Sequence, residues 1–325
     1  MVGTLFFDPP NGGIMFFFTN YTWQNILIGL AVLAGLILVN DVTRRSKWLS
    51  IIVYIIMPVV LTFTVWPKTA VRGNGDWFPV VKTYSALAGV IGFMAIRYIK
   101  GADTKKWLLF FPALILSINI AEAVYRDFEV YAAYAGQAVT NPVDGLLMQG
   151  GIWNILNAIA GIVLILTLTG VFGIRIAKTK SKDMIWPDQL WFWIVAYDLW
   201  NLSYCYNCIS TRSMYAGLIL LLSCTISEFF LKKGAWLQHR AQTLALWAMF
   251  SITFSSYAKS PLFSITSSYK PEALTIISIL SIVSNVAVLV YEIIQIKKTK
   301  RNPVTQDLYV DLKSYKAVLS DNNLN

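Results

Sequence analysis

The chain has 325 residues, 56% of them hydrophobic and only 14% charged, with a formal net charge of +10. A soluble domain carries about 25% charged residues. This composition, with charges clustered between long apolar runs, excludes disorder, a disulfide scaffold on three cysteines and a soluble enzyme of ordinary make-up. What remains is an all-α, polytopic transmembrane helix bundle.

The first 20 residues hold no basic n-region, so a cleaved signal peptide is not expected. Asp8, Pro9, Pro10, Gly12 and Gly13, followed by the apolar run 15–18, read as a short outer segment that dips into the interface. Nine runs then match a ~30 Å hydrocarbon layer. They lie at 23–40, 49–66, 84–99, 107–123, 152–174, 190–207, 214–231, 241–258 and 273–296. Together they fill most of residues 1–296, which reads as one transmembrane domain, and 297–325 reads as a short basic cytoplasmic tail.

Lys and Arg set the orientation. With the amino end outside, the inward segments hold twenty basic residues, at least three in each and Arg44, Arg97 and Arg240 among them, and the outward segments hold seven. The opposite orientation is rejected. The positive charge therefore points to anionic lipid at helix ends, with membrane lipids as partners and no nucleic acid.

Along the chain, Ala31/Gly35, Ser85/Gly89 and Ala88/Gly92 are small residues four apart, suited to close helix packing. Gly73-Asn74-Gly75 is a turn; it lacks the Lys and the strand–helix setting of a phosphate loop. The fourth run carries Asn119 and Glu122 in its outer third, with Arg126 one turn on from the acid. Between 124 and 151, Tyr125, Phe128, Tyr131 and Tyr134 recur at helical spacing and predict a short helix on the outer surface. A turn is expected at Asn141-Pro142-Val143-Asp144-Gly145. Asn154 and Asn157 lie in the outer third of the fifth run.

The sixth run holds the residue that needs a reason. Asp198 lies ten residues in, about 15 Å along the helix and at mid-bilayer. Its helical neighbours Ile194, Val195, Asn201 and Leu202 are not basic, and no Lys or Arg falls near the middle of any run. It is expected to hold a proton or a cation that is not protein. Asn201, Tyr204 and Asn207 lie above it, interleaved with Trp193, Tyr197, Trp200 and Tyr206. Glu228 has Lys232 at i,i+4, and Glu292 can snorkel to the inner interface.

Other chemistry is weakly supported. Cys205-x-x-Cys208 lacks the second cysteine pair that a membrane thiol oxidoreductase needs to relay electrons. His239, the sole histidine, has no partners for a zinc site or a catalytic relay and reads as an interfacial cap. Lys259 sits at the outer edge of its run, too shallow for a retinal-type lysine. No catalytic residue, metal or cofactor is expected.

The segment Tyr197-Asp198-Leu199-Trp200-Asn201, with Tyr204, Asn207 and then Gly234-Ala235-Trp236-Leu237-Gln238-His239-Arg240-Ala241-Gln242, resembles a bacterial family of multi-pass membrane proteins of uncharacterised function. The likeness runs from Val42-Thr43-Arg44-Arg45 to Asp311-Leu312-Lys313-Ser314-Tyr315. It implies a bacterial inner membrane and no particular activity.

The expected function is transport of a small solute through an aromatic- and amide-lined pocket in the outer half of the bilayer. Asp198, Asn201, Tyr204, Asn119, Glu122, Asn154, Asn157, Trp200 and Tyr197 are its expected walls, with Asp198 as the proton- or cation-coupling group and a small molecule or cation as ligand. The alternative is a non-transporting sensor or structural partner, in an oligomer or alone, whose polar groups only hold helices together.

Overall fold

The computed structural model describes residues 16–19, 21–70, 78–140, 146–257 and 260–324; the readings placed on 1–15, on Gly73-Asn74-Gly75, on 141–145 and on Lys259 lie outside them. Strand β1 (Phe18–Thr19) leads into α1 (Trp23–Arg45), which opens on a reciprocal cap. Thr22 Oγ1 accepts from the Asn25 N–H and Asn25 Oδ1 accepts from the Thr22 N–H at 2.8 Å, satisfying two donors that the helix start leaves orphaned. Helix α2 (Lys47–Thr64) widens to a π turn over Ile52–Ile56. Pro58 follows at once; it lacks an N–H and crowds the turn before it.

Helix α3 (Phe78–Tyr98) and helix α4 (Lys106–Tyr134) come next. The separate surface helix expected after residue 124 does not exist. No glycine or proline interrupts the sequence between Pro112 and Gly136, so α4 simply runs on, and Tyr125, Phe128, Tyr131 and Tyr134 ride on its last turns. A hairpin of β2 (Ala138–Thr140) and β3 (Leu147–Gln149) leads to α5 (Ile152–Leu166). A second hairpin, β4 (Arg175–Ile176) with β5 (Met184–Ile185), precedes α6 (Trp191–Cys208). Helices α7 (Ser210–Leu231) and α8 (Trp236–Thr253) follow, and then β6 (Thr266–Ser267), which pairs antiparallel with β1. The long α9 (Pro271–Thr299) and the short α10 (Lys313–Asp321) complete the chain.

Among the described residues, six helices, α1, α2, α3, α4, α7 and α9, are long and apolar enough to cross a membrane. Their outward faces are apolar, with Leu30, Phe63 and Val283 exposed, as a lipid-facing surface requires. The other three apolar runs of the sequence fall short of that measure. Helix α5 is apolar but 15 residues long, and α6 and α8 carry too many polar side chains. The bundle divides into two groups: α4, α5, α6 and α9 pack together, and α8 gathers α3, α7 and α1. Gly92 permits the close approach of α3 to α4, since a β-carbon there would collide with the Phe111 ring.

The basic carboxyl tail folds back as a cap on the segment before α6. Gly170 donates its N–H to the Pro303 carbonyl at 2.7 Å. Asp307 pairs with Arg175 at 2.8 Å and accepts from the Tyr315 hydroxyl at 2.5 Å. Tyr315 and Val318 of α10 are buried beside Ala177, Ile185 and Leu190. Asp188, just before α6, clamps this cap: its carboxylate accepts from the N–H groups of Leu308 at 2.6 Å and Tyr309 at 3.2 Å.

Burial pushes the Asp188 carboxyl up to about 6 from the ordinary 3.8, and the neighbouring Asp307 charge adds to the rise against the two N–H donors. A group whose folded value is raised binds more protons in the native state, so stability falls as pH climbs from about 4 to about 6 and is level beyond. Melting curves across pH 4–7 are expected to show this slope in the natural chain and to lose it in Asp188→Asn.

Candidate functional site

The seam between the two helix groups is not closed. A cavity of about 180 Å³ lies there, walled by α3, α4, α6, α7 and α8. Its length follows α8, from Leu237 to Ile252, roughly 22 Å at 1.5 Å per residue. The volume slightly exceeds that of an apolar cavity of ~150 Å³ known to admit benzene. Small side chains make the space: Ser85, Ala86 and Gly89 on α3 present almost nothing to the seam, and Ala216 does the same on α7. Ala216 belongs to a π-helical segment, Ser213–Ile219, whose altered pitch frees backbone carbonyls. The Cys205 thiol lies 3.7 Å from the Ala216 carbonyl and takes up one of them.

Much of the wall is apolar, with Phe93, Ile115, Leu116, Leu220 and Leu244 among its members. The polar groups are few and basic. Lys82, Arg212 and Arg240 line the cavity, and no acidic side chain does so among the described residues. Lys82 is partly exposed and occupied: its ammonium reaches Asn119 Oδ1 at 2.9 Å and Glu122 Oε2 at 3.2 Å. Such a half-exposed pair contributes about 0–1 kcal/mol and is easily broken.

Arg240 is in a different condition. It is 7% exposed, one turn into α8. Its Nε donates to the Tyr197 hydroxyl and its Nη2 to Asn201 Oδ1, both at 3.4 Å, near the limit of a hydrogen bond. The guanidinium sits 5.9 Å from the Tyr197 ring centre. Its Nη1 is buried with no hydrogen-bond partner, and among the described residues no carboxylate lies within ion-pair distance. A guanidinium cannot shed its proton in a protein, so this charge is desolvated and has no ion-pair partner, although the Asp198 carboxyl on α6 is near enough to feel it.

Of the residues expected to wall the pocket, Asn119, Tyr197, Asn201 and Tyr204 do line this cavity. Glu122 touches it only through Lys82. Asp198 is not in its wall. Although next to Tyr197 in sequence, it is turned to α7, where Oδ2 accepts from the Thr225 hydroxyl at 2.6 Å. Trp200 is buried against Gly161 and Val124, between α6 and α5.

Asn154 and Asn157 serve a separate buried cluster whose centre sequence reasoning missed. Asp127 of α4, fully buried, accepts from Asn157 Nδ2 at 2.7 Å, from Asn154 Nδ2 at 3.1 Å and from the Cys208 thiol at 3.3 Å. The amide oxygens are already committed, Asn154 Oδ1 to the Gly151 N–H and Asn157 Oδ1 to the Ser281 hydroxyl. Both amides therefore must present N–H to the carboxylate, and the cluster ties α4, α5, α6 and α9 together. Asp127 was hidden by the expectation that α4 ended at residue 123. The clue was the missing helix breaker.

Arg240 was passed over for a related reason. It was counted among basic residues at the inner surface, next to His239. The structure buries both, and His239 Nδ1 lies 2.8 Å from Asn40 Nδ2 of α1. His239 is thus a helix-to-helix contact and not an interfacial cap. The available signal was Arg240's place on one helical face with Leu237, Leu244, Trp247 and Ser251, residues of the seam.

The chain belongs to a family of unknown function, DUF5692, whose pattern matches residues 19–321. No curated protein and no solved structure matches it.

Proposed function

We propose that this is a multi-pass membrane transporter whose solute-binding site is the cavity at the seam between the two helix groups. The observation that carries the reading is that cavity. It lies between helices of both groups, where a rocking motion of one group against the other would expose it to either side. Polar side chains from several helices converge on it, Asn119 and Tyr204 together with the buried Asn201 and Arg240. Asp198 has no part in the reading, because it faces Thr225. The alternation of basic segments supports nine crossings, with the amino end outside and the carboxyl end cytoplasmic. The resemblance to a bacterial family supports a bacterial cell membrane, with lipid against the exposed apolar flanks.

Two neighbouring positions on α3 test the cavity. Ala86 is buried in its wall, and Ala88 is exposed on the lipid-facing side of the same helix. In membranes, a water-soluble thiol reagent is expected to label Ala86→Cys and to spare Ala88→Cys, the reverse of their exposure in the bare protein. Cys205 also lines the cavity, so both variants are made on a Cys205→Ala background, with the buried Cys208 and Cys224 as the control. No labelling at Ala86→Cys, or labelling at Ala88→Cys in its place, defeats the solute site.

A further inference from the structure

The cavity's chemistry selects its occupant, an inference that rests on the solute-site reading above. We infer that the cavity takes a small carboxylate with an apolar body of about one ring, its carboxylate seated on Arg240. The charge is what demands it. Arg240 brings a permanent positive charge into the protein interior, and the described residues of the cavity wall offer no acid to meet it. Nη1 has no hydrogen-bond partner and Nη2 is held only by a 3.4 Å contact to Asn201, so the guanidinium has donor capacity left for a carboxylate.

The rest of the cavity excludes the competing anions. A hydrated inorganic ion would have to shed water against Leu237, Leu244, Leu220 and Phe93, none of which replaces it. A phosphate dianion calls for more donors than one guanidinium supplies, and the second guanidinium of the wall, Arg212, lies towards Tyr257 and away from Arg240 at the Leu237 end. A cation is refused by the three basic side chains. An apolar acid meets each condition: its body fits the ~180 Å³ beside α3 and its charge meets Arg240.

The probe is benzoate, compared with neutral benzamide and with chloride and phosphate, on the full-length protein in detergent micelles by thermal shift. Benzoate is expected to raise the melting temperature at concentrations about tenfold to a hundredfold below those benzamide needs, the value of one charge-assisted bond. Chloride and phosphate are expected to do no better than benzamide. Arg240→Gln is expected to erase the preference for benzoate over benzamide. Gly89→Leu provides the variant that leaves the charge alone. A β-carbon at Gly89 would have only Ile115 in ordinary contact, so leucine there fills the cavity and is expected to abolish both responses.

Equal responses to benzoate and benzamide overturn the inference, as does an equal response to chloride or phosphate. Benzoate binding that survives both Arg240→Gln and Gly89→Leu places it elsewhere and overturns it too. Labelling at Ala86→Cys without a benzoate response removes the carboxylate and keeps the solute site; failure of labelling removes the site itself.

Discussion

Replacing Asp183 by alanine is expected to cost about 3–5 kcal/mol of stability, the toll of stripping one partner from a buried ion pair. Asp183 is fully buried in the turn between β4 and β5, where three helices converge on it. Arg44 of α1 reaches Oδ2 at 3.1 Å, Arg97 of α3 lies 3.7 Å from Oδ1, and Gln238 of α8 donates to Oδ1 at 2.8 Å. Ser181 adds a hydroxyl at 2.5 Å. Arg97 also donates to the carbonyls of Arg44, Ser181 and Lys182, so the guanidinium laces the turn to the end of α1. Alanine would leave Arg44 with Asp41 alone and the buried Arg97 with backbone carbonyls and no carboxylate.

The same site has a pH signature opposite to that of Asp188. Burial alone would push the Asp183 carboxyl up, but the charges of Arg97 and Arg44 outweigh it and hold the carboxyl below 3.8. A depressed value means stability that is complete above the ordinary carboxylate range and is lost as pH falls below about 4. Acid melting curves of the natural chain should therefore steepen there, and those of Asp183→Ala should not. If Asp183→Ala melts like the natural chain at neutral pH, the three-helix latch is not what holds this end together.

The two groups of helices and their connections were only partly visible in the sequence. Apolar runs placed the helices well, because a helix that faces lipid must be apolar along its length, and α1, α2, α3 and α9 are. Helix ends were less legible. Apolarity fades where a helix leaves the hydrocarbon, but hydrogen bonding does not, which is why α4 outran its expected end and carried Asp127 into the core. Charges misled for a different reason. Arg44, Arg97 and Arg240 were read as surface markers by their position near run ends, yet each is buried, two on Asp183 and one on a cavity. A sequence shows how many charges an end carries, not which of them meet across the bundle. Asn119, Tyr197, Asn201 and Tyr204 could be grouped by depth alone. The turn of Asp198 away from them could not, because a rotation of about 100° separates neighbours on a helix.

Arg240→Met supplies the sharpest contrast with Asp183→Ala, because it removes an equally buried charge with the opposite expected sign. Methionine has a similar length and no charge to desolvate. Where apolar side chains have replaced buried ionic groups, stability has often been unchanged or raised by about 1–4 kcal/mol. The groups left behind are not stranded: Asn201 Oδ1 still lies 3.8 Å from the Cys205 thiol, and Tyr197 keeps its aromatic packing against Trp193 and Trp236. The variant is therefore expected to melt at or above the natural temperature while losing its preference for benzoate over benzamide. A charge retained at a cost to stability is a charge kept for a ligand. Should Arg240→Met instead melt as low as Asp183→Ala, the guanidinium belongs to the scaffold, and the space beside it is a packing defect with no guest.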